Sequence, residues 1–192
     1  LSENYDAVLI ATGASKDKYL NIKGESLNGV LGSSEFVGWY NDNPDFTSLS
    51  PNLNSNNVVI VGNGNVALDC ARILSKTEEE LNGSDISKKN LKILTNSNIK
   101  NIYIIGRRGP KEAKFTIAEL REFKDINKYS TSINFSRETL KKFINDETID
   151  TRVKKNLEVF NDLFDIRKKN KEIIFDFFKS PIEIYGNEKV EG

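Results

Sequence analysis

The 192 residues contain no histidine and no methionine, one cysteine and only four prolines. Without histidine, and with Cys70 as the sole thiol, neither a Cys/His zinc site nor a histidine-activated nucleophile can be assembled. A lone cysteine also excludes an internal disulfide framework and fits a reducing compartment such as cytosol, organelle matrix or stroma. Cys70 is therefore expected as a small buried apolar residue on a helix. An excess of either charge is missing as well: 28 Lys and Arg balance 28 Asp and Glu. No basic field points to nucleic acid, and no acidic block to a disordered tail. The longest apolar runs, AVLIA and VVIVG, are far too short to cross a bilayer, and the start shows no signal or transit pattern. The chain opens mid-phrase at Leu1 and ends at Gly192 in what reads as a turn, so an excised piece of a larger, soluble protein is expected. Its chemistry must come from a cofactor or a bound substrate.

What is present is the alternation of short apolar runs with helical patterns. The length suffices for a full hydrophobic core in one domain or slightly more. Tyr5 to Ala11 reads as a buried strand stopped by Thr12-Gly13-Ala14, and residues 15–32 as a turn-rich loop with short strands. Ser33 to Tyr40 reads as a helix with Phe36, Val37, Trp39 and Tyr40 on its apolar side. Residues 41–57, rich in Asn, Asp, Ser and Pro, read as a linker. Val58 to Val61 is a continuous apolar strand of the kind buried on both faces of a parallel sheet. A helix follows over Asn65 to Leu74, then a polar stretch, 75–98, of helical turns and loops. Ile102 to Ile105 is the next strand, ended by Gly106. Phe115 to Phe123 reads as a helix capped by Thr116 with Glu119 in its first turn, and Ser136 to Arg167 as helical, with Ser136 leading RETL. Ile173 to Phe178 is the last clear strand, before the first half of a hairpin around Gly186-Asn187. Strands separated by helices imply a Rossmann-like α/β domain of three layers, with a central parallel sheet and a small added β element.

The stretch VVIVGNGNVALDCAR carries the functional argument. Gly62 lets the chain reverse at the end of a strand, Gly64 lets backbone approach a pyrophosphate, and Ala67 takes the close-packing third position. The helix opening near Asn65 aims free N–H groups and its positive dipole end at the diphosphate. A purely structural β–α turn is the competing reading, but strand before and helix after are the context a dinucleotide loop needs. An NAD-specific unit ends its second strand with an acid that holds the ribose 2′-OH; here IYIIGRRG offers Arg107 and Arg108. Two guanidinium forks suit a 2′-phosphate, at about 1.5–3 kcal/mol per charge-assisted bond. Alone, such a pair is more often a solvated loop; with the upstream cradle it favours NADP(H). The interval from Gly62 to Arg107 exceeds the usual one of about 20 residues, and 75–98 is taken as the insertion.

With those residues in view, the sequence resembles the NADP-binding domain of adrenodoxin-reductase-type ferredoxin–NADP(+) reductases, through YDAVLIATGA, FVGWYN, GNGNVALDCARIL, IGRRGP with FTIAELREF, and FFKSP. The resemblance implies a flavoprotein with two dinucleotide-binding domains, in which NADPH passes hydride to FAD and electrons go on to a 2Fe-2S ferredoxin of the adrenodoxin kind. It implies that residues 1–57 return from an FAD domain mostly absent from this chain, through the ATG crossover at Ala11-Thr12-Gly13, and that 58–192 bind NADP(H). By the same resemblance Asn63, Gly64, Asn65 and Val66 line the pyrophosphate, Arg107 and Arg108 hold the 2′-phosphate, and Glu119 completes the adenosine end. The family commonly has Gln where Asn63 stands. Glu119 is also an ordinary first-turn helix acid. No catalytic acid or base is implied.

An acidic ferredoxin implies a basic face. Arg121 matches a docking position of the family, and Arg152, Lys154 and Lys155 form a second basic cluster, although a solvated surface explains either. Two rivals stand: an NADPH-oxidising subunit of the glutamate synthase small-subunit type, and a non-catalytic NADPH-binding sensor. A mitochondrial location follows only from the resemblance.

Overall fold

A computed structural model describes residues 4–9 and 17–192. Its centre is a sheet of four parallel strands: β1 (Asn57–Val61), β2 (Asn101–Gly106), β3 (Ser130–Asn134) and β4 (Glu172–Phe177), in the order β1-β2-β4-β3. The helices are α1 (Ser33–Tyr40), α2 (Asn65–Ser75), α3 (Glu78–Leu81), α4 (Lys88–Thr95), α5 (Ile117–Arg121), α6 (Arg137–Asn145) and α7 (Thr151–Leu163). The α/β class and the parallel sheet are as the sequence led us to expect.

Register explains which side chains form the core. Val58 pairs with Ile102, which pairs with Ile173, while Ile60, Ile104 and Phe175 form the next row. Because side chains alternate along a strand, these rows share one face. Beneath it lie Leu68 and Ala71 of α2, Leu120 of α5, and Leu157 and Phe160 of α7, all buried in one cluster. Phe160 is the aromatic hub, with ring centroids 5.3 Å from Phe175, 5.4 Å from Phe177 and 6.1 Å from Phe115. Of the three expected layers, the sheet and this helical layer are seen among the described residues. The opposite face, with Tyr103, Ile105 and Ile174, is only half-covered.

That half-covered face corrects one expectation. β1 is not buried on both sides: it sits at a sheet edge, and Val59 and Val61 are 57% and 45% exposed. The run from Tyr5 is not a strand where it is described; Tyr5, Val8 and Leu9 are exposed coil. The remainder of that expected strand, with the turn at Ala11-Thr12-Gly13, lies outside the described residues.

Several segments are more finely divided than their patterns suggested. The polar stretch 75–98 holds α3, capped by Thr77, and α4, capped by Ser87. Asn90 of α4 donates to the Trp39 carbonyl at 2.8 Å, which ties the insertion to α1. α1 itself buries Phe36, Trp39 and Tyr40 in the common core, although it lies before the expected boundary at residue 58. The helical region 136–167 breaks at Asp146–Asp150, where Asp150 caps α7 by accepting from the backbone N–H of Arg152 and Val153. β3 was not expected from the sequence. Cys70 is buried on α2, and burial pushes its thiol up to about 11, so it stays neutral. The C-terminal stretch returns to the loop after residue 17 through bridges Lys23–Glu183 and Asn28–Lys189, and Gly186 sits in the turn between Tyr185 and Glu191.

Candidate functional site

The carboxyl ends of β1 and β2 lie side by side, because the Gly62 N–H continues the ladder to the Ile105 carbonyl at 2.8 Å. This places the loop 62–64 next to Arg107 and Arg108. Gly62 has φ +144°, a backbone an L side chain rarely adopts, and a Cβ built there would meet nothing within 4 Å. Gly64 likewise opens onto empty space. It is the N-cap of α2 and has no side chain to cap with, so the first N–H groups of that helix are left for another acceptor. Ala67, at the close-packing position, is 7% exposed as expected.

Asn63 turns its amide inward against β2. A Cβ on Gly106 would collide with that side chain, so the absence of one is what admits it. Its Oδ1 is buried and without a hydrogen-bond partner, while its carbonyl accepts from the Lys114 N–H at 2.9 Å. Asn65 accepts from the Thr116 N–H at 2.9 Å. Thr116 is the N-cap of α5, as its sequence suggested, yet makes no side-chain cap bond itself. The glycine loop is thus clamped to the segment after β2 at two points. Val66 is 49% exposed at the start of α2.

Arg107 and Arg108 are exposed, and among the described residues neither guanidinium has a salt bridge or hydrogen bond. Arg72 of α2 is engaged instead: it meets Asp69 at 2.6 Å, Glu122 at 2.7 Å and Glu119 at 3.3 Å. Burial opposes its charge, but the Glu122 hydrogen bond and the surrounding carboxylates outweigh it and hold its pKa above the ordinary value. Glu119 is therefore held by an arginine on the helix that begins at the cradle. The sequence did not reveal this cluster, since its members lie far apart in the chain.

The basic positions lie elsewhere. Arg121 is exposed in the last turn of α5, next to buried Leu120. Arg152, Lys154 and Lys155 occupy the first turns of α7, with Lys154 half-buried. Asn156 fastens that helix to the Phe115 carbonyl at 2.8 Å, so α5 and α7 are neighbours. Among the described residues no His, Cys, Asp and Glu cluster could hold a metal ion, and no helix is long and apolar enough to cross a membrane.

An open parallel sheet whose first strand runs through a glycine turn into a helix defines an α/β domain of the Rossmann class. The sequence profile described as pyridine nucleotide-disulphide oxidoreductase matches residues 2–108, and the chain belongs to that family. It is 42% identical over 196 residues to the NADPH-ferredoxin reductase FprA of Mycobacterium tuberculosis, covering 100% of this chain and 42% of that protein. It is 38% identical over 200 residues to the mitochondrial NADPH:adrenodoxin oxidoreductase of Arabidopsis thaliana, covering 100% of this chain and 41% of the relative. The solved structure of Mycobacterium tuberculosis FprA in complex with NADPH superposes with TM-score 0.85 at 40% identity, over 99% of this chain and 42% of that one. The chain thus spans well under half the length of these relatives.

Proposed function

We propose that this chain is the NADP(H)-binding part of a flavoprotein reductase that passes hydride from NADPH to FAD and electrons on to an adrenodoxin-like 2Fe-2S ferredoxin. FAD is held mostly by residues outside this chain. Residues 58–192 bind the nucleotide, with α1 of the preceding stretch packed against them. The observation that carries the reading is a pairing at one sheet edge. The uncapped start of α2, with open space over Gly62 and Gly64, adjoins two exposed arginines that have no partner among the described residues. Asn63, Asn65 and Val66 complete the diphosphate cradle, Asn63 through its backbone because its amide is turned inward against β2. Arg107 and Arg108 take the 2′-phosphate, and Glu119, paired with Arg72, completes the adenosine end. The plant relative is named as mitochondrial, which supports a mitochondrial setting here.

Calorimetric titration of the chain with NADPH and NADH tests this directly. NADPH is expected to bind and NADH to bind far more weakly. Equal affinities, or none for either, would overturn the assignment.

We assign Arg121, with Arg152, Lys154 and Lys155, to the docking of an acidic ferredoxin. Glu119 and Arg121 stand two residues apart on α5, so their side chains diverge by about 200° and cannot serve one pocket equally. Rim charges mostly set association rate and salt dependence. In the whole flavoprotein, Arg121→Glu should slow ferredoxin-dependent cytochrome reduction, most at low ionic strength. NADPH–ferricyanide turnover should stay near wild type. A parallel fall of both activities would remove Arg121 from the docking surface.

A further inference from the structure

β4 ends at Phe177, whose ring is buried, and the next residue behaves in the opposite way. Phe178 is 64% exposed and has φ +58°, a left-handed backbone that an aromatic residue seldom takes. Strained backbone of this sort persists only where its surroundings hold it, and it clusters at ligand sites. Here the hold is explicit: the Phe178 N–H donates to the Arg108 carbonyl at 3.4 Å, and the Lys179 N–H to the Gly106 carbonyl at 3.0 Å. The chain leaving β4 is thereby tied to the segment that carries the arginine pair.

The ring position is equally determined. It lies over Gly109, where a Cβ would stand 2.6 Å from Phe178 Cζ, so a larger residue there would push the ring from this position. On its inner side it leans on Phe135, with centroids 6.1 Å apart and planes at 32°, and Phe135 leans in turn on Phe143 at 6.2 Å. Lys111 Nζ sits 4.4 Å from the Phe143 ring centre. A propped aromatic ring is thus presented to solvent at the carboxyl edge of the sheet, one residue from the loop of Arg107 and Arg108.

We infer that Phe178 is the stacking platform for the purine base of the dinucleotide. The inference rests on the NADP(H) reading above. The phosphate that distinguishes NADP from NAD is on the ribose bearing adenine. Arginines that grip that phosphate therefore leave the base within a few ångströms, and the propped aromatic ring is fixed beside them. A purine face on an aromatic face is a contact any adenine nucleotide can make, and it contributes substantially per base. Lys179 and Gly109 serve this arrangement through backbone and space, and the FFKSP stretch acquires a role beyond ending a strand.

Adenosine 2′,5′-bisphosphate is the probe, because it carries base and phosphate without the nicotinamide half, and ribose 5-phosphate is the base-free control. Calorimetry with Phe178→Ala should show affinity for the bisphosphate reduced about tenfold or more, with Phe178→Tyr close to wild type and ribose 5-phosphate unaffected by either change. In Phe178→Trp, the bisphosphate should quench the new indole, since the native Trp39 is 2% exposed and out of reach. Unchanged affinity in Phe178→Ala, or an unquenched indole in a variant that still binds, overturns the platform and leaves the NADP(H) reading intact. Failure of the wild-type chain to bind the bisphosphate would instead sink the NADP(H) reading, and the platform with it.

Discussion

Replacing Arg107 and Arg108 together by alanine is expected to weaken NADPH binding about a hundredfold while leaving NADH nearly unchanged. Both guanidinium groups are exposed at the end of β2 and unpaired among the described residues, so no existing ion pair is lost when they go. On the proposed assignment, what is lost is two charge-assisted contacts to a phosphate near its second ionisation. Each such contact contributes about 1.5–3 kcal/mol. The lower end applies here because solvent screens exposed charges, and about 3 kcal/mol in all corresponds to roughly a hundredfold in Kd. NADH has a hydroxyl in place of that phosphate and gains little from either arginine. The two cofactors should also separate in salt dependence, steeper for NADPH in the wild type and similar for both in the double variant. Titration of both cofactors at two ionic strengths decides it. Equal losses for NADH and NADPH would place the arginines against the shared diphosphate, and an unaffected NADPH affinity would remove them from the site.

The part of the site on contiguous residues was legible in the sequence. Gly62, Gly64 and Ala67 stand where a strand turns into a helix, and the apolar runs on either side show that context. Arg107 and Arg108 stood out for the same reason, as charges one glycine beyond the isoleucines of β2. Features assembled from distant segments were not. Arg72 meets Glu119 and Glu122 only because α2 and α5 pack together, and nothing in the spacing predicts it. Phe178 reads as the last residue of an apolar strand; its exposure arises from a backbone reversal that the hydrogen bonds to Gly106 and Arg108 impose. β3, with sequence STSIN, escaped notice because Ile133 is its one apolar side chain, and its serines suggest a loop although Ser130 and Thr131 are buried. The error over β1 has another cause. A run of valines and isoleucine is compatible with burial on both faces, but which faces are covered depends on the neighbours the sheet supplies.

Phe160→Ala is expected to destabilise the domain by about 3–5 kcal/mol, the range for removing a fully buried aromatic side chain. Phe160 is 0% exposed, and three rings, Phe115, Phe175 and Phe177, pack edge-on around it. Such pairs add about 0.5–1.5 kcal/mol each beyond the area they bury, so the upper part of the range applies. For a domain of this size each kcal/mol lowers Tm by about 2–4 °C, giving a fall on the order of 10 °C. Phe160→Leu, which refills much of the cavity with aliphatic volume, should recover roughly half. The site feels this position indirectly. Phe175 and Phe177 belong to β4, the strand that leads to Phe178, and Phe115 precedes Thr116, whose N–H is held by Asn65 at the cradle. If the core only supports the site, saturating NADPH should raise the Tm of wild type and Phe160→Ala alike, since a ligand that binds only the folded state stabilises by mass action. Scanning calorimetry with and without NADPH separates the possibilities. A normal Tm in the variant would contradict the packing described here. A lowered Tm with no response to NADPH, in a variant still folded at low temperature, would show that the aromatic hub sets the geometry of the cradle as well as the stability of the sheet.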